Sequence, residues 1–175
     1  MLTLEPARTD QHYDALLELV YHQKTAYLDP LLDLIELTAE QFGQHFRATG
    51  VAHRVCLDGE LVGICWIEER QPVLTLLGLV IQPERQGAGL GTQVLAWLEN
   101  HPPPGITAIE LQVHVSNPRA QALYERVGYQ QAAYDPGSGF FTMRKMLKPG
   151  SRGDRAAESV TSSLDAWKEA ARRHV

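Results

Sequence analysis

A chain of 175 residues, 44% of them hydrophobic and 21% charged, has the size of one domain and enough apolar content to bury a core. Its longest apolar stretches are a few residues, far short of the ~20 that cross a bilayer, and 16 Lys+Arg against 21 Asp+Glu give a net charge of −5 that disfavours nucleic-acid backbones. Two cysteines, Cys56 and Cys65, with no CxxC pair argue against a disulfide framework or a zinc cluster. The opening MLTLEPARTD carries neither a basic leader nor a long apolar segment, so a soluble, cytoplasmic protein is expected.

In chain order, residues 2 to 5 read as a first strand. Asp10 to Val20 then reads as a helix with Tyr13, Leu16, Leu17 and Val20 on one face and Thr9 or Asp10 as its cap. Residues 21 to 36 are irregular, and Ala39 to Arg47 looks like a second helix ending near Gly50. Three strands follow, Val51 to Leu57, Leu61 to Glu68 and Val73 to Ile81. The first pair is joined at Asp58-Gly59, a dipeptide that tolerates the positive φ of a hairpin turn, and the second by a loop with Pro72. A glycine-rich turn then enters a helix through Glu99, and prolines 102 to 104 stop it. A strand Ile106 to Val115, a helix Pro118 to Arg126 and strands Tyr129 to Tyr134 and Phe140 to Leu147 complete the pattern. A helix crossing over between two strands predicts a parallel neighbour pair in an otherwise antiparallel sheet.

Charge divides the chain at about 149. Residues 1 to 148 hold 17 acidic and 11 basic side chains, net −6, and the remainder holds 4 and 5, net +1. The run PGSRGDR supplies the breakers of a linker, and Ala157, Val160, Leu164, Trp167 and Ala171 beyond it form a thin apolar stripe at helical spacing. The expected organisation is a domain at 1–148 and a linker with a C-terminal helix at 149–175.

The informative segment is Leu79-Val80-Ile81-Gln82-Pro83-Glu84-Arg85-Gln86-Gly87-Ala88-Gly89-Leu90-Gly91, a strand that runs through glycines into a helix. Such a helix start presents free N–H groups and the positive end of the helix dipole, which together bind anions. The plain alternative is a tight turn with no ligand. A dinucleotide fingerprint is excluded because the position its third glycine needs is Thr92, and a P-loop because the chain has no Gly-Lys pair.

Gln86-Gly87-Ala88-Gly89-Leu90-Gly91 resembles the Q/R-x-x-G-x-G/A signature of the GCN5-related N-acetyltransferases, the GNAT superfamily, and Arg85 strengthens the likeness. Downstream, the stretch from Asn117 to Tyr129, NPRAQALYERVGY, resembles the family's N-x-x-A-x-x-L-Y-x-x-x-G-F/Y pattern. The resemblance covers residues 1 to about 148. It implies an α/β (α+β) GNAT fold, a mixed and mostly antiparallel sheet of about seven strands flanked by about four helices. It also implies acetyl-CoA as co-substrate, with its pyrophosphate on the amides of Gln86, Gly87, Ala88, Gly89, Leu90 and Gly91, and Thr92 beside them. By the same likeness the backbone of Leu79 and Ile81 meets the pantetheine arm and polarises the thioester carbonyl, and Asn117 contacts the arm or caps its helix.

For the chemistry, the likeness assigns Tyr124 as the acid that protonates the departing thiolate. The family's N-terminal acetyltransferases of ribosomal proteins carry a glutamate where this chain has Gln112, and an amide cannot accept a proton. Strand alternation puts Glu110, Gln112 and His114 on one face, so His114 and Glu110 are candidate bases, with Glu68 and Glu69 behind them; a histidine merely hydrogen-bonded under a helix is an equal reading of His114. The histidines lack HxxxH or HExxH spacing, so no metal is expected. Tyr27, Asp29, Asp33, Glu36, Tyr134, Asp135 and Phe140 fall on the segments that wall the acceptor side in this family, or are core and solvated surface. The expected activity is direct acetyl transfer to a primary amine of a small molecule or peptide. The alternative is an inactive acyl-CoA-binding regulatory module, motivated by Gln112. No nucleic-acid or membrane partner is expected, and the likeness allows a homodimer.

Overall fold

The computed structural model describes residues 1–22 and 38–148, and among them seven strands and four helices follow one another as the sequence pattern predicts. They are β1 (Leu2–Pro6), α1 (Asp10–His22), α2 (Ala39–Ala48), β2 (Val51–Leu57), β3 (Glu60–Arg70), β4 (Val73–Ile81), α3 (Leu90–Asn100), β5 (Ala108–His114), α4 (Pro118–Arg126), β6 (Gln130–Asp135) and β7 (Phe140–Met146), with a single 3₁₀ turn at Pro83–Arg85. The strands form one mixed sheet in the order β1-β2-β3-β4-β5-β7-β6. The predicted C-terminal helix and its linker, and the acceptor-side residues Tyr27, Asp29, Asp33 and Glu36, lie outside the described residues.

The chain divides into two units. One comprises Met1–Glu68 with Leu76–Val94, and the other Glu69–Thr75 with the chain from Leu95 onward. In the first, β1 pairs antiparallel with β2 and β2 with β3, the latter pair turning at Asp58 (φ 52°) and Gly59 (φ 86°) as the Asp-Gly dipeptide predicts. Its core packs α1 and α2 against these strands through Tyr13, Leu16, Phe42, Phe46, Ile64 and Trp66. Phe46 meets the Trp66 ring at 5.0 Å and 62°, and the indole N–H donates to the Thr49 carbonyl at 2.6 Å, so this large aromatic is buried without leaving a donor unmet. The Thr9 hydroxyl accepts from His12 N–H at 3.3 Å and caps α1. At α2 a capping box forms, in which Gln41 N–H donates to the Thr38 hydroxyl at 3.2 Å and Thr38 N–H donates to Gln41 Oε1 at 2.8 Å.

In the second unit β7 lies between β5 and β6 and is antiparallel to both. Ile109, Leu111 and Val113 are buried, whereas Glu110, Gln112 and His114 are half-buried or exposed, which is the alternation expected of a strand with one covered face. The strand is shorter than its apolar run. Ile106 N–H closes a turn onto the Pro103 carbonyl, so the predicted segment leaves the ladder at its start, whereas Val115 N–H donates to Gly139 O at 2.9 Å, one step beyond the His114↔Phe140 pair in the same register. β6 is exposed along its whole length.

Candidate active site

β4 changes character along its length. Leu74 and Leu76 are buried while Val73 and Thr75 are half-buried, the ordinary alternation; from Leu77 to Val80 four consecutive residues are all half-buried, and Ile81 is buried again. Leu79 therefore lies in an apolar stretch that neither of its faces fully covers. The strand ends on a braced turn, in which Gln82 N–H donates to Val62 O at 2.9 Å and Arg85 pairs with Glu60 at 2.6 Å. The Gln86 side-chain amide donates to the Ile81 carbonyl at 2.9 Å, and its backbone N–H donates to Pro83 O at 3.2 Å. Gln86 thus braces the turn with both its backbone N–H and its side-chain amide.

The amides that follow begin at Gly87 and Gly89, whose φ angles of 83° and 76° lie in left-handed backbone that other residues adopt only at a cost. A Cβ built on either glycine meets nothing within 4 Å, so the space above the turn is open and glycine is needed there for conformation and for approach. Ala88 is exposed and Leu90 is buried at the first position of α3. Gln93 N–H is the first to find an intrahelical acceptor, Gly89 O at 3.1 Å, which leaves the N–H groups of Leu90, Gly91 and Thr92 directed out of the helix end. The residues fit a diphosphate: three orphan donors, a helix dipole and no side chain in the way.

Within the second unit, Tyr124 is the buried residue of α4. Its carbonyl accepts from Tyr129 N–H at 3.0 Å, and the two rings lie 5.9 Å apart at 58°. The helix begins where Asn117 Oδ1 accepts from Ala120 N–H at 3.2 Å, so Asn117 is a cap whatever else it touches.

The candidate bases have partners. Glu110 Oε2 accepts from both Arg144 Nε, at 2.8 Å, and Nη2, an ion pair across β5 and β7 that occupies one oxygen of the carboxylate. His114 Nδ1 lies 2.7 Å from the Ser116 hydroxyl and accepts the Ser116 backbone N–H at 3.2 Å. With Nδ1 accepting, the neutral ring carries its proton on Nε2, so the basic nitrogen is the one that faces Ser116. On its other side the ring stands edge-on to Phe140 at 5.1 Å, and a Cβ at Gly139 would come within 2.7 Å of Nε2, so the hairpin backbone closes against the imidazole. Arg144 and Ser116 escape a reading of the sequence: the first is visible only through the register Glu110↔Arg144, whereas the second, two residues from His114, follows the spacing of a local side-chain turn.

At the β6–β7 turn, Asp135 accepts from the Ser138 hydroxyl at 2.6 Å and from Gly137 N–H at 2.9 Å, and these bonds hold its carboxyl below the usual carboxylate range. Its role is to build the turn. Tyr134 is 45% exposed and leans on Phe141, ring centroids 4.6 Å apart. Cys56 and Cys65 are both free and buried; burial pushes the Cys65 thiol up to about 12, so it is no nucleophile at neutral pH. Among the described residues no cluster of histidine, cysteine, aspartate and glutamate is arranged to hold a metal ion, and no helix is long and apolar enough to cross a membrane.

The chain is 36% identical over 104 residues to a mycothiol acetyltransferase of Kytococcus sedentarius, a match covering 57% of this chain and 35% of that protein. The chain spans about a third of the length of the curated relatives it matches. Among solved structures, an acetyltransferase of Thermus thermophilus superposes with a TM-score of 0.67 at 23% identity, over 84% of this chain and 97% of that one. An N-acetyltransferase of Campylobacter jejuni in complex with acetyl coenzyme A gives 0.59 at 14% identity, over 85% and 100%. At such identities these two likenesses speak to the fold. The model of the Acetyltransferase (GNAT) family matches residues 13–129, a span that contains the glycine turn, α3, β5 and the tyrosine helix, and the chain belongs to that family.

Proposed function

We propose that this chain is an N-acetyltransferase that moves acetyl from acetyl-CoA directly to a primary amine. The observation that carries the reading is the open glycine turn, with its left-handed Gly87 and Gly89 and the outward N–H groups of Leu90, Gly91 and Thr92. These donors would hold the coenzyme diphosphate. The C-terminal end of β4, half-buried from Leu77 to Val80 and closing on buried Ile81, would meet the pantetheine arm, with the N–H of Leu79 or Ile81 turned to the thioester oxygen.

The reaction makes a C–N bond and breaks a C–S bond. The amine lone pair attacks the carbonyl carbon, the tetrahedral oxyanion is met by the strand N–H, and the thiolate leaves with its electron pair. Tyr124 supplies the proton to that sulfur, and the attacking nitrogen loses one. For the second proton, Glu110 is already ion-paired to Arg144 through Oε2, and the favoured route is the Ser116 hydroxyl to His114 Nδ1, or solvent. Two buried cysteines, both with thiol pKa values raised by burial, support direct transfer over an acyl-cysteine intermediate, and their free state suits a reducing cytoplasm.

The acceptor is an amine within the range this family serves, and the curated relatives make the acceptor of mycothiol acetylation a rational member of any panel. The test is thiol release from acetyl-CoA across that panel for the parent and for Tyr124→Phe. The enzyme reading expects kcat to fall about 100-fold in the variant, while calorimetry gives unchanged coenzyme A affinity. Tight cofactor binding with no transfer to any amine in the parent would instead support the regulatory-module reading that Gln112 motivates.

A further inference from the structure

Lys145 stands on a face of the sheet where a charge is out of place. Its register partner is the fully buried Ile109, and the cross-strand pairs beside it on that face are Leu111 with Met143 and Val113 with Phe141. A lysine on such a face is costly unless every proton of its ammonium is used. Two are visibly used: Nζ donates to Glu99 Oε2 on α3 at 2.6 Å and to the Val127 carbonyl at 2.6 Å. The ammonium also lies 5.8 Å from the centre of the Tyr129 ring.

These contacts converge on one end of one helix. Val127 is the C-cap of α4, so its carbonyl is one that the helix leaves unbonded. The next residue, Gly128, turns the chain back at φ 95°, and its ideal Cβ would reach ordinary contact with Lys145 Cε at 3.6 Å. Tyr129 then bonds backward to the Tyr124 carbonyl and lays its ring against the Tyr124 ring. The other oxygen of Glu99, Oε1, is buried with no hydrogen-bond partner among the described residues. A carboxylate half-used in this way is a poor device for stability, since apolar side chains of similar size would serve as well. It is a good device for holding an ammonium at one point.

We infer that Lys145, held by Glu99, is a positioning residue for Tyr124: it fixes the last turn of α4 from both the carbonyl and the aromatic side, and so sets where the phenol points. This rests on Tyr124 acting as the acid. Displacement of a reacting group by about 1 Å can cost as much as 100-fold, so a partial loss of this restraint is expected to be felt in turnover.

The experiment is a double-mutant cycle read by thiol release, with kcat and the acetyl-CoA KM determined separately. Lys145→Met should lower kcat about tenfold with KM unchanged within about twofold, and in the Tyr124→Phe background the same substitution should change kcat by less than about twofold, because residues acting as a unit are not additive. Glu99→Gln keeps the shape and an acceptor for Nζ, should show a smaller loss with the same coupling, and carries the test if Lys145→Met does not fold. An unchanged kcat, a loss confined to KM, or an equal loss with and without the tyrosine hydroxyl overturns the inference. If Tyr124→Phe alone leaves kcat intact, the acid assignment fails, and that result is read before the cycle is closed.

Discussion

Alanine at position 87 or 89 sets two effects against each other that glycine keeps apart. The methyl group meets no protein atom, so packing does not resist it, but backbone at φ 83° or 76° costs a non-glycine residue about 1 kcal/mol. The same methyl projects into the open space where a diphosphate would approach the amides. We therefore expect Gly89→Ala to lower unfolding free energy by about 1 kcal/mol in urea denaturation while weakening coenzyme A binding by about tenfold or more in calorimetry. Loss of stability with unchanged affinity would mean that the turn holds no phosphate. At this scale the sequence was a good guide to the glycines, where a residue type and a backbone state correspond. It was a poorer guide to Gln86 and Glu110: nothing local reveals that one amide braces Ile81 O or that one carboxylate is bound by Arg144.

At the scale of the element, α4 shows how one residue can serve two ends. Asn117 Oδ1 accepts from Ala120 N–H, which leaves the amide nitrogen as the half of the side chain able to donate elsewhere. Asn117→Ala removes the cap and should cost about 1 kcal/mol of stability by chemical denaturation. Asn117→Asp keeps an acceptor at the cap and removes the donor, so it should leave the denaturation midpoint near the parent's and raise the acetyl-CoA KM several-fold. An unchanged KM would make Asn117 a cap alone. The boundaries of α4 were legible because Asn-Pro opens it and Val-Gly closes it. Those of β5 were less so: apolar Ile106 continues the strand pattern although its N–H closes a turn onto the Pro103 carbonyl, whereas Val115 N–H still bonds to Gly139 O in the register of β5 and β7.

For the molecule as a whole, one link between acid pH and folding is His53 on β2, 1% exposed and with its pKa lowered by burial to about 4. An unfolded histidine titrates near 6.5, so between 6.5 and 4 the unfolded chain binds the proton that the folded chain refuses. The associated stability is present above pH 6.5 and is lost as pH falls toward 4, by about 2 kcal/mol at pH 4.5. Denaturant melts at pH 7 and pH 4.5 should show this drop in the parent and a drop smaller by about that amount in His53→Gln. Equal drops would place the acid sensitivity among the carboxylates.

Local sequence determined the elements and the chemistry of single segments: the period of the strands and helices, the Asp-Gly hairpin, the glycine turn, and the asparagine and tyrosine of α4. All of these are set by interactions a few residues apart, where side-chain period and backbone preference act directly. Tertiary structure alone decided which groups those segments meet. The order β5-β7-β6 places Arg144 opposite Glu110, puts Lys145 beside Ile109 within reach of Glu99 and the end of α4, and brings Gly139 against His114. Such pairs depend on strand register, and register is chosen by the summed burial of whole faces, a quantity that no short stretch of residues contains.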